Sequence, residues 1–241
     1  TALSGPAGGV AAAVALARQG IGEDLISFDM GGTSTDIALV SGGKPFLSAS
    51  RSVGEARIAL PSLDIVTLGA GGGSIAHINR AGMMQVGPQS AGAEPGPACY
   101  GRGGPPTVTD ANLVLGRIVP ERFLDGRMRL DPEASRRGIG DLAKSLGLNL
   151  LQAADGIVQV AEVTMVRAIR VISLHRGYEP GDFVLLAFGG AGGLHAAALA
   201  DALGIGALII PADPGVFSAF GMTVADVLKD RAGTLLADAA S

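Results

Sequence analysis

The chain has 241 residues, 48% of them hydrophobic, enough to bury a substantial core and to exclude a disordered polypeptide. Its 18 basic and 22 acidic residues are spread along the chain for a net charge of -4, so no basic face for nucleic acid is expected. Cys99 is a lone cysteine and excludes an internal disulfide; the start carries no secretory signal, and no run reaches the about 20 apolar residues that cross a bilayer, so a cytoplasmic protein without a membrane span is expected.

Thr1 opens the chain in place of methionine and runs at once into Ser4-Gly5-Pro6-Ala7-Gly8-Gly9, from which we expect a piece of a longer polypeptide. The alanine-rich stretch from Ala7 to Gln19 predicts a helix, with Ser4 or Gly5 near its cap and Gly20 as its stop. A strand over Leu25 to Met30, a Gly31-Gly32 turn and a second strand over Thr35 to Val40 follow, broken at Ser41-Gly42-Gly43-Lys44-Pro45; Phe46 to Val53 predicts a third. Residues 54 to 107 are rich in glycine and proline and predict irregular backbone, the length of which points to a functional segment or a packing surface.

Helical pattern resumes from Thr109 to Leu115, and Asp131-Pro132-Glu133 reads as an N-cap with proline at the first helical position, leading into a helix over Ser135 to Leu146. The strongest periodicity runs from Gln152 to Leu174, where Ile157, Val160, Ala161, Thr164, Ala168, Val171 and Ile172 recur every three or four residues. A buried strand over Phe183 to Phe188 leads through a Gly189 to Gly193 loop into a helix over His195 to Leu203. A strand over Ala207 to Ile210 and a last helix from near Gly215 complete the chain. This order predicts an α/β fold with both antiparallel and parallel pairing.

Two segments carry chemistry. Asp29-Met30-Gly31-Gly32-Thr33-Ser34-Thr35-Asp36 brings two carboxylates, a side-chain-free turn and three hydroxyls together between apolar strands. Glycine amides at such a turn can approach phosphate oxygens, Thr33, Ser34 and Thr35 can donate, and Asp29 and Asp36 can hold magnesium or orient an attacking group. An ordinary hairpin turn has the same composition. The second segment, Phe188 through Gly189, Gly190, Ala191, Gly192 and Gly193 to His195, is a strand, a glycine stretch and a helix start, an arrangement that lets backbone lie against a nucleotide. It also fits a weak dinucleotide fingerprint with Asp213 downstream, but the hairpin-first layout ranks that reading lower.

With these two segments, the motifs Ser4 to Gly9, Gly69-Ala70-Gly71-Gly72-Gly73-Ser74, Gly87-Pro88 through Ala91-Gly92, Pro95 to Tyr100 and Thr107 to Asn112 make the chain resemble the hydantoinase A, oxoprolinase and acetone carboxylase family over nearly its whole length. That resemblance implies one lobe of an actin-like (ribonuclease H-like) ATPase core: a mixed sheet flanked by helices, with a Gly/Pro-rich insertion at about residues 54 to 130. It implies that Asp29 to Asp36 is the second phosphate loop and Gly189 to Gly193 the adenosine loop. The first phosphate loop, in an N-terminal lobe of the same polypeptide, has no counterpart in this sequence. Gly193 departs from the family, which commonly has proline there.

The resemblance further implies ATP and Mg2+ as cofactors, a small cyclic amide as substrate, a hydantoinase B-type subunit as partner, and an oligomer. The expected activity is ATP-dependent opening of a hydantoin- or 5-oxoproline-type ring. The alternatives are the ATP-using subunit of a ketone carboxylase and, in another class, a non-catalytic actin-like nucleotide switch. Asp110 is a third candidate catalytic carboxylate, with helix capping as the competing reading. Cys99 has no adjacent histidine to activate it, and His77, His175 and His195 lack metal-ligand spacing. Arg167 and Arg170 read as a solvated or inter-lobe surface.

Overall fold

The computed structural model describes residues 4–48, 51–53, 56–58 and 62–226. Helix α1 (Ser4–Arg18) leads into strands β1 (Leu25–Met30) and β2 (Thr35–Ser41), which pair antiparallel from Leu25 opposite Val40 to Met30 opposite Thr35. Gly42 and Gly43, at φ 56° and 69°, turn the chain back into β3 (Lys44–Pro45), angles that glycine takes without steric cost. Within the expected third strand, β4 (Leu47–Ser48) and β5 (Arg51–Val53) are extended, while residues 49 and 50 lie outside the described residues. β5 pairs with β6 (Ala56–Ile58), and β4 with β7 (Ser62–Leu63).

The glycine- and proline-rich stretch is more regular than its composition predicts. β8 (Ile65–Leu68) joins the main sheet alongside β2, and β9 (Ser74–Ile78) and β10 (Met84–Ser90) form a hairpin of their own. One strand of the segment thus belongs to the central sheet. Its remaining turns pack backbone against backbone, for a Cβ on Gly104 would stand 1.8 Å from the Gly96 carbonyl oxygen.

Helices α2 (Val108–Val114), α3 (Pro132–Leu146) and α4 (Leu150–Leu174) follow, then β11 (Val184–Phe188), α5 (Gly189–Leu203), β12 (Leu208–Ile209) and α6 (Phe217–Val224). The main sheet has six strands in the order β12-β11-β1-β2-β3, with β8 also on β2. β1 and β12 run parallel to β11, and the partners of β2 run antiparallel to it, so the sheet is mixed.

Strand alternation distributes the core between two layers of helices. Ile26, Phe28, Met30, Ile37, Leu39 and Leu185 are buried in one cluster with residues of α4 and α5, while Leu25, Val40, Leu186 and Phe188 are buried in another with Ala12, Ala13 and Ala17 of α1. The buried seam of α4 is Ala153, Ala154, Ile157, Val158, Ala161, Met165, Ile169 and Ile172. Thr164 and Val171, expected on that seam, are exposed instead; the neighbouring Met165 and Ile172 occupy it. Among the described residues, no helix is long and apolar enough to cross a membrane.

Helix α1 runs from Ser4, three residues ahead of the expected Ala7, and two of its glycines serve packing. A Cβ on Gly8 would lie 2.3 Å from the Ser218 carbonyl oxygen, and one on Gly221 only 1.8 Å from the Gly8 carbonyl oxygen. The helices α1 and α6 thus cross with their backbones in contact, which only glycine permits.

Candidate functional site

The turn between β1 and β2 spans residues 31–34 and is closed by the Gly31 amide, which donates to the Ser34 carbonyl at 3.0 Å. Below it, one line of residues crosses the sheet: Asp29 stands directly opposite Asp36, and Asp36 directly opposite Thr67 of β8. Laterally paired residues share a face, so two carboxylates lie side by side. Like charges placed directly opposite in an antiparallel pair are destabilising.

Each carboxylate has one oxygen held by a hydroxyl. Ser218 of α6 donates to Asp29 Oδ2 at 2.8 Å, and Thr67 donates to Asp36 Oδ1 at 2.5 Å. Burial pushes the pKa of Asp29 above the ordinary aspartate value; the Ser218 hydrogen bond works against that shift, and the Asp36 charge adds to it.

The turn rests on a second glycine segment. The Gly72 amide donates to the Gly31 carbonyl at 3.0 Å and the Gly73 amide to the Gly32 carbonyl at 2.6 Å. A Cβ on Gly71 would meet the Gly32 carbonyl oxygen at 2.7 Å, and one on Gly73 the same oxygen at 2.9 Å. On the far side, the amide and hydroxyl of Thr109 both donate to the Gly72 carbonyl, at 2.7 and 2.8 Å. The turn carbonyls are thus drawn inward, and the amides of Gly32, Thr33 and Ser34 have no acceptor among the described residues.

This geometry divides the five candidate phosphate contacts of the turn. Gly32 and Thr33 are exposed and Ser34 half-buried. The Gly31 amide is spent inside the turn. Thr35 is fully buried with its hydroxyl donating to the Ala70 carbonyl at 2.6 Å, so the expected donor role does not hold for it.

Residues Gly189 to Gly193, expected as a loop, are the first turn of α5. Phe188 is extended, and Gly189 at φ 81° switches the chain from strand to helix within one residue. A Cβ on Gly189 would lie 2.4 Å from the Met30 carbonyl oxygen and 2.5 Å from Asp29 Oδ1, so the helix start is pressed against the carboxylate. Among the described residues no side chain caps that start, which leaves the positive end of the helix dipole open to an anion. Ala191 also faces Gly72, whose Cβ would be 3.7 Å from its own. The β1–β2 turn, residues 71–73 and the α5 N-terminus therefore meet.

Asp110 is not in this cleft: it is fully buried, and its carboxylate accepts from the Ala98, Cys99 and Thr107 amides and the Thr107 and Ser135 hydroxyls at 2.6 to 3.1 Å. It forms a capping box with Thr107 at the start of α2. With five donors around it, the group ties a loop and two helices together and has no role left as acid, base or metal ligand. Asp110→Asn keeps the shape but turns an acceptor oxygen into a donor facing these donors. It is expected to cost about 2 kcal/mol in folding stability, read from urea unfolding, with nucleotide affinity unchanged.

Cys99 is buried beside Asp110, and burial followed by the Asp110 charge drives its thiol pKa upward, leaving it inert. His195 is fully buried: Nδ1 lies 3.0 Å from Glu162 Oε1 and Nε2 3.4 Å from Asn112 Nδ2, linking α5 to α4 and α2. Arg167 and Arg170 are exposed on α4, lining a groove of about 660 Å³ with Val163 and Ala198. Among the described residues, no group of three His, Cys, Asp or Glu side chains that could hold a metal ion occurs, so Asp29 and Asp36 offer a cation a pair of carboxylates and no third ligand of that kind. Sequence reasoning missed Thr67 and Ser218 and gave Gly71 to Gly73 no task. Only the unbroken glycine run hinted at close backbone approach.

The sequence profile described as hydantoinase/oxoprolinase matches residues 1–231. The chain is 44% identical over 234 residues to the caprolactamase subunit alpha of Pseudomonas jessenii, covering 96% of this chain and 34% of that one. It is 41% identical over 241 residues to the 5-oxoprolinase of Saccharomyces cerevisiae, covering 95% and 19%. The nucleotide-free structure of acetone carboxylase superposes with a TM-score of 0.83 at 32% identity, over 90% of this chain and 31% of that one. The chain thus spans about a third or less of the length of these relatives.

Proposed function

This chain belongs to the hydantoinase/oxoprolinase family, and from that premise we propose that it is the second nucleotide-gripping lobe of an actin-like ATP-dependent enzyme that opens a cyclic amide ring. The observation that carries the reading is the pair Asp29 and Asp36, set directly opposite each other beneath a glycine turn and beside an uncapped helix start. A fold keeps such a costly pair where a cation and an anion will occupy it. Two carboxylates with no third metal-ligating side chain among the described residues suit magnesium, which retains waters and shares phosphate oxygens.

In this reading the amides of Gly32, Thr33 and Ser34 hold phosphate oxygens, Asp29 and Asp36 hold magnesium or its waters, and the first turn of α5, Gly189 to Gly193, lies along the adenosine. ATP would supply a phosphoryl group to the ring carbonyl oxygen, so that hydrolysis of one amide bond is coupled to that of one phosphoanhydride. The chain's own contribution is positioning and charge neutralisation. A first phosphate loop from another lobe of the longer polypeptide completes the clamp, and a hydantoinase B-type subunit is its partner.

Substrate-dependent phosphate release by the full-length protein tests this. Stimulation by caprolactam, hydantoin or 5-oxoproline is the expected result. The second reading, a ketone carboxylase subunit, draws on the superposition with acetone carboxylase and is chosen if only acetone or acetophenone with bicarbonate stimulates. Phosphate release unaffected by all of these compounds overturns both and leaves a nucleotide switch.

A further inference from the structure

The two hydroxyls beside the carboxylate pair come from elements that the hairpin itself does not specify. Ser218 sits on α6, and its hydrogen bond to Asp29 Oδ2 crosses from the helix layer to the sheet. Thr67 sits on β8, next in line across the sheet after Asp29 and Asp36, and donates to Asp36 Oδ1. Asp29 Oδ1 and Asp36 Oδ2 have no donor among the described residues. The arrangement is matched: one oxygen of each carboxylate accepts from a hydroxyl and the other has no donor among the described residues, Asp29 Oδ1 lying against the Gly189 backbone.

We infer that Ser218 and Thr67 are positioning residues that turn the free oxygens of Asp29 and Asp36 toward one shared divalent cation. The inference rests on the metal role proposed for that pair. A carboxylate anchored at one oxygen loses rotational freedom and presents the other in a fixed direction, which is how groups behind a metal ligand raise affinity. A hydroxyl is suited to the task because it donates without adding charge, whereas a lysine there would compete with the cation. Only glycine leaves Ser218 its place: a Cβ on Gly8 would collide with its carbonyl oxygen, and one on Gly9 would crowd its Oγ at 3.2 Å. The close crossing of α1 and α6 therefore places the hydroxyl that donates to Asp29. This gives the Gly8-Gly9 pair a consequence at the site beyond helix packing.

The test measures Mn2+ binding to the full-length protein by electron paramagnetic resonance, with a non-hydrolysable ATP analogue present, together with thermal unfolding. Ser218→Ala and Thr67→Val are each expected to weaken Mn2+ binding by about 10-fold, while Thr67→Ser, which keeps the hydroxyl, stays within about twofold of the parent. Thr67 is exposed, so its variants fold even if Ser218→Ala does not. Parent-like Mn2+ affinity in Thr67→Val, alongside loss in Asp29→Ala, overturns the positioning role and leaves the metal pair standing. An equal loss in Thr67→Val and Thr67→Ser also overturns it. Parent-like affinity in both Asp29→Ala and Asp36→Ala overturns the metal reading and the positioning role with it.

Discussion

Gly189→Val is expected to destabilise the protein by about 4 kcal/mol and to abolish nucleotide binding. Two costs add. Gly189 holds φ at 81°, a region that a β-branched residue enters only with strain of roughly 1–3 kcal/mol. Its Cβ would also stand 2.4 Å from the Met30 carbonyl oxygen and 2.5 Å from Asp29 Oδ1, and overpacking of backbone costs about 1–3 kcal/mol more. Neither neighbour can yield, since Met30 is within a central strand and Asp29 is held by Ser218. Gly190→Ala is the control: nothing lies within 4 Å of its Cβ, and replacing glycine in a helix stabilises by about 0.5–1 kcal/mol. Because Gly190 is exposed, on the helix turn proposed to lie along the adenosine, that variant should fold well yet bind nucleotide more weakly. Thermal unfolding and equilibrium binding of ATP separate the two effects. Parent-like unfolding of Gly189→Val would remove the case for a compressed helix start.

The contrast between these adjacent glycines shows where the sequence was readable. Strands β1 and β2 and the helix α4 are written in local periodicity, and the expected ranges agree with the structure to within two residues. Asp29 and Asp36 were legible for the same reason, since a hairpin of known turn fixes its own register. Thr67 was not, because its place beside Asp36 depends on β8 pairing with β2 across an intervening stretch of chain. Ser218 was not, because a serine on a short helix carries no periodic signal and reaches Asp29 only through the crossing of α1 and α6.

Glycine-rich segments serve close packing that their composition alone does not show. Gly189 to Gly193, expected as a loop, is a helix turn, whereas Gly71 to Gly73 is irregular as expected but buried, as backing for the β1–β2 turn. Glycine lowers the intrinsic preference for regular structure, yet here its absent side chain is used to bring two backbones together. Propensity registers the first effect and not the second. Thr35 and Asp110 show the converse: polar residues in a promising motif whose hydrogen-bonding capacity is consumed by the fold.

Asp29→Asn is expected to raise stability while lowering ATP turnover at least about 100-fold, or about 3 kcal/mol of transition-state stabilisation. The amide keeps the size of the carboxylate and an oxygen to accept from Ser218, but removes one of two opposed charges. Burial raises the pKa of Asp29 in the folded state, so the native protein binds this proton more tightly than the unfolded chain. Stability therefore falls as pH rises from the unfolded value, near 3.8, through the folded one, and at neutral pH the whole penalty is present. Asparagine relieves it. Because Asp29 is only partly shielded from solvent, the gain at pH 7 is held to about 0.5–1 kcal/mol. It should shrink toward zero in acid, where the aspartate is neutral in both states. Urea unfolding of parent and variant across that pH range, paired with phosphate release at saturating magnesium, reads both quantities. If Asp29 holds a cation as proposed, the pair is strained without it, and stability gained and turnover lost come from the same carboxylate. A variant that is less stable than the parent at pH 7 would mean that Asp29 serves the fold instead.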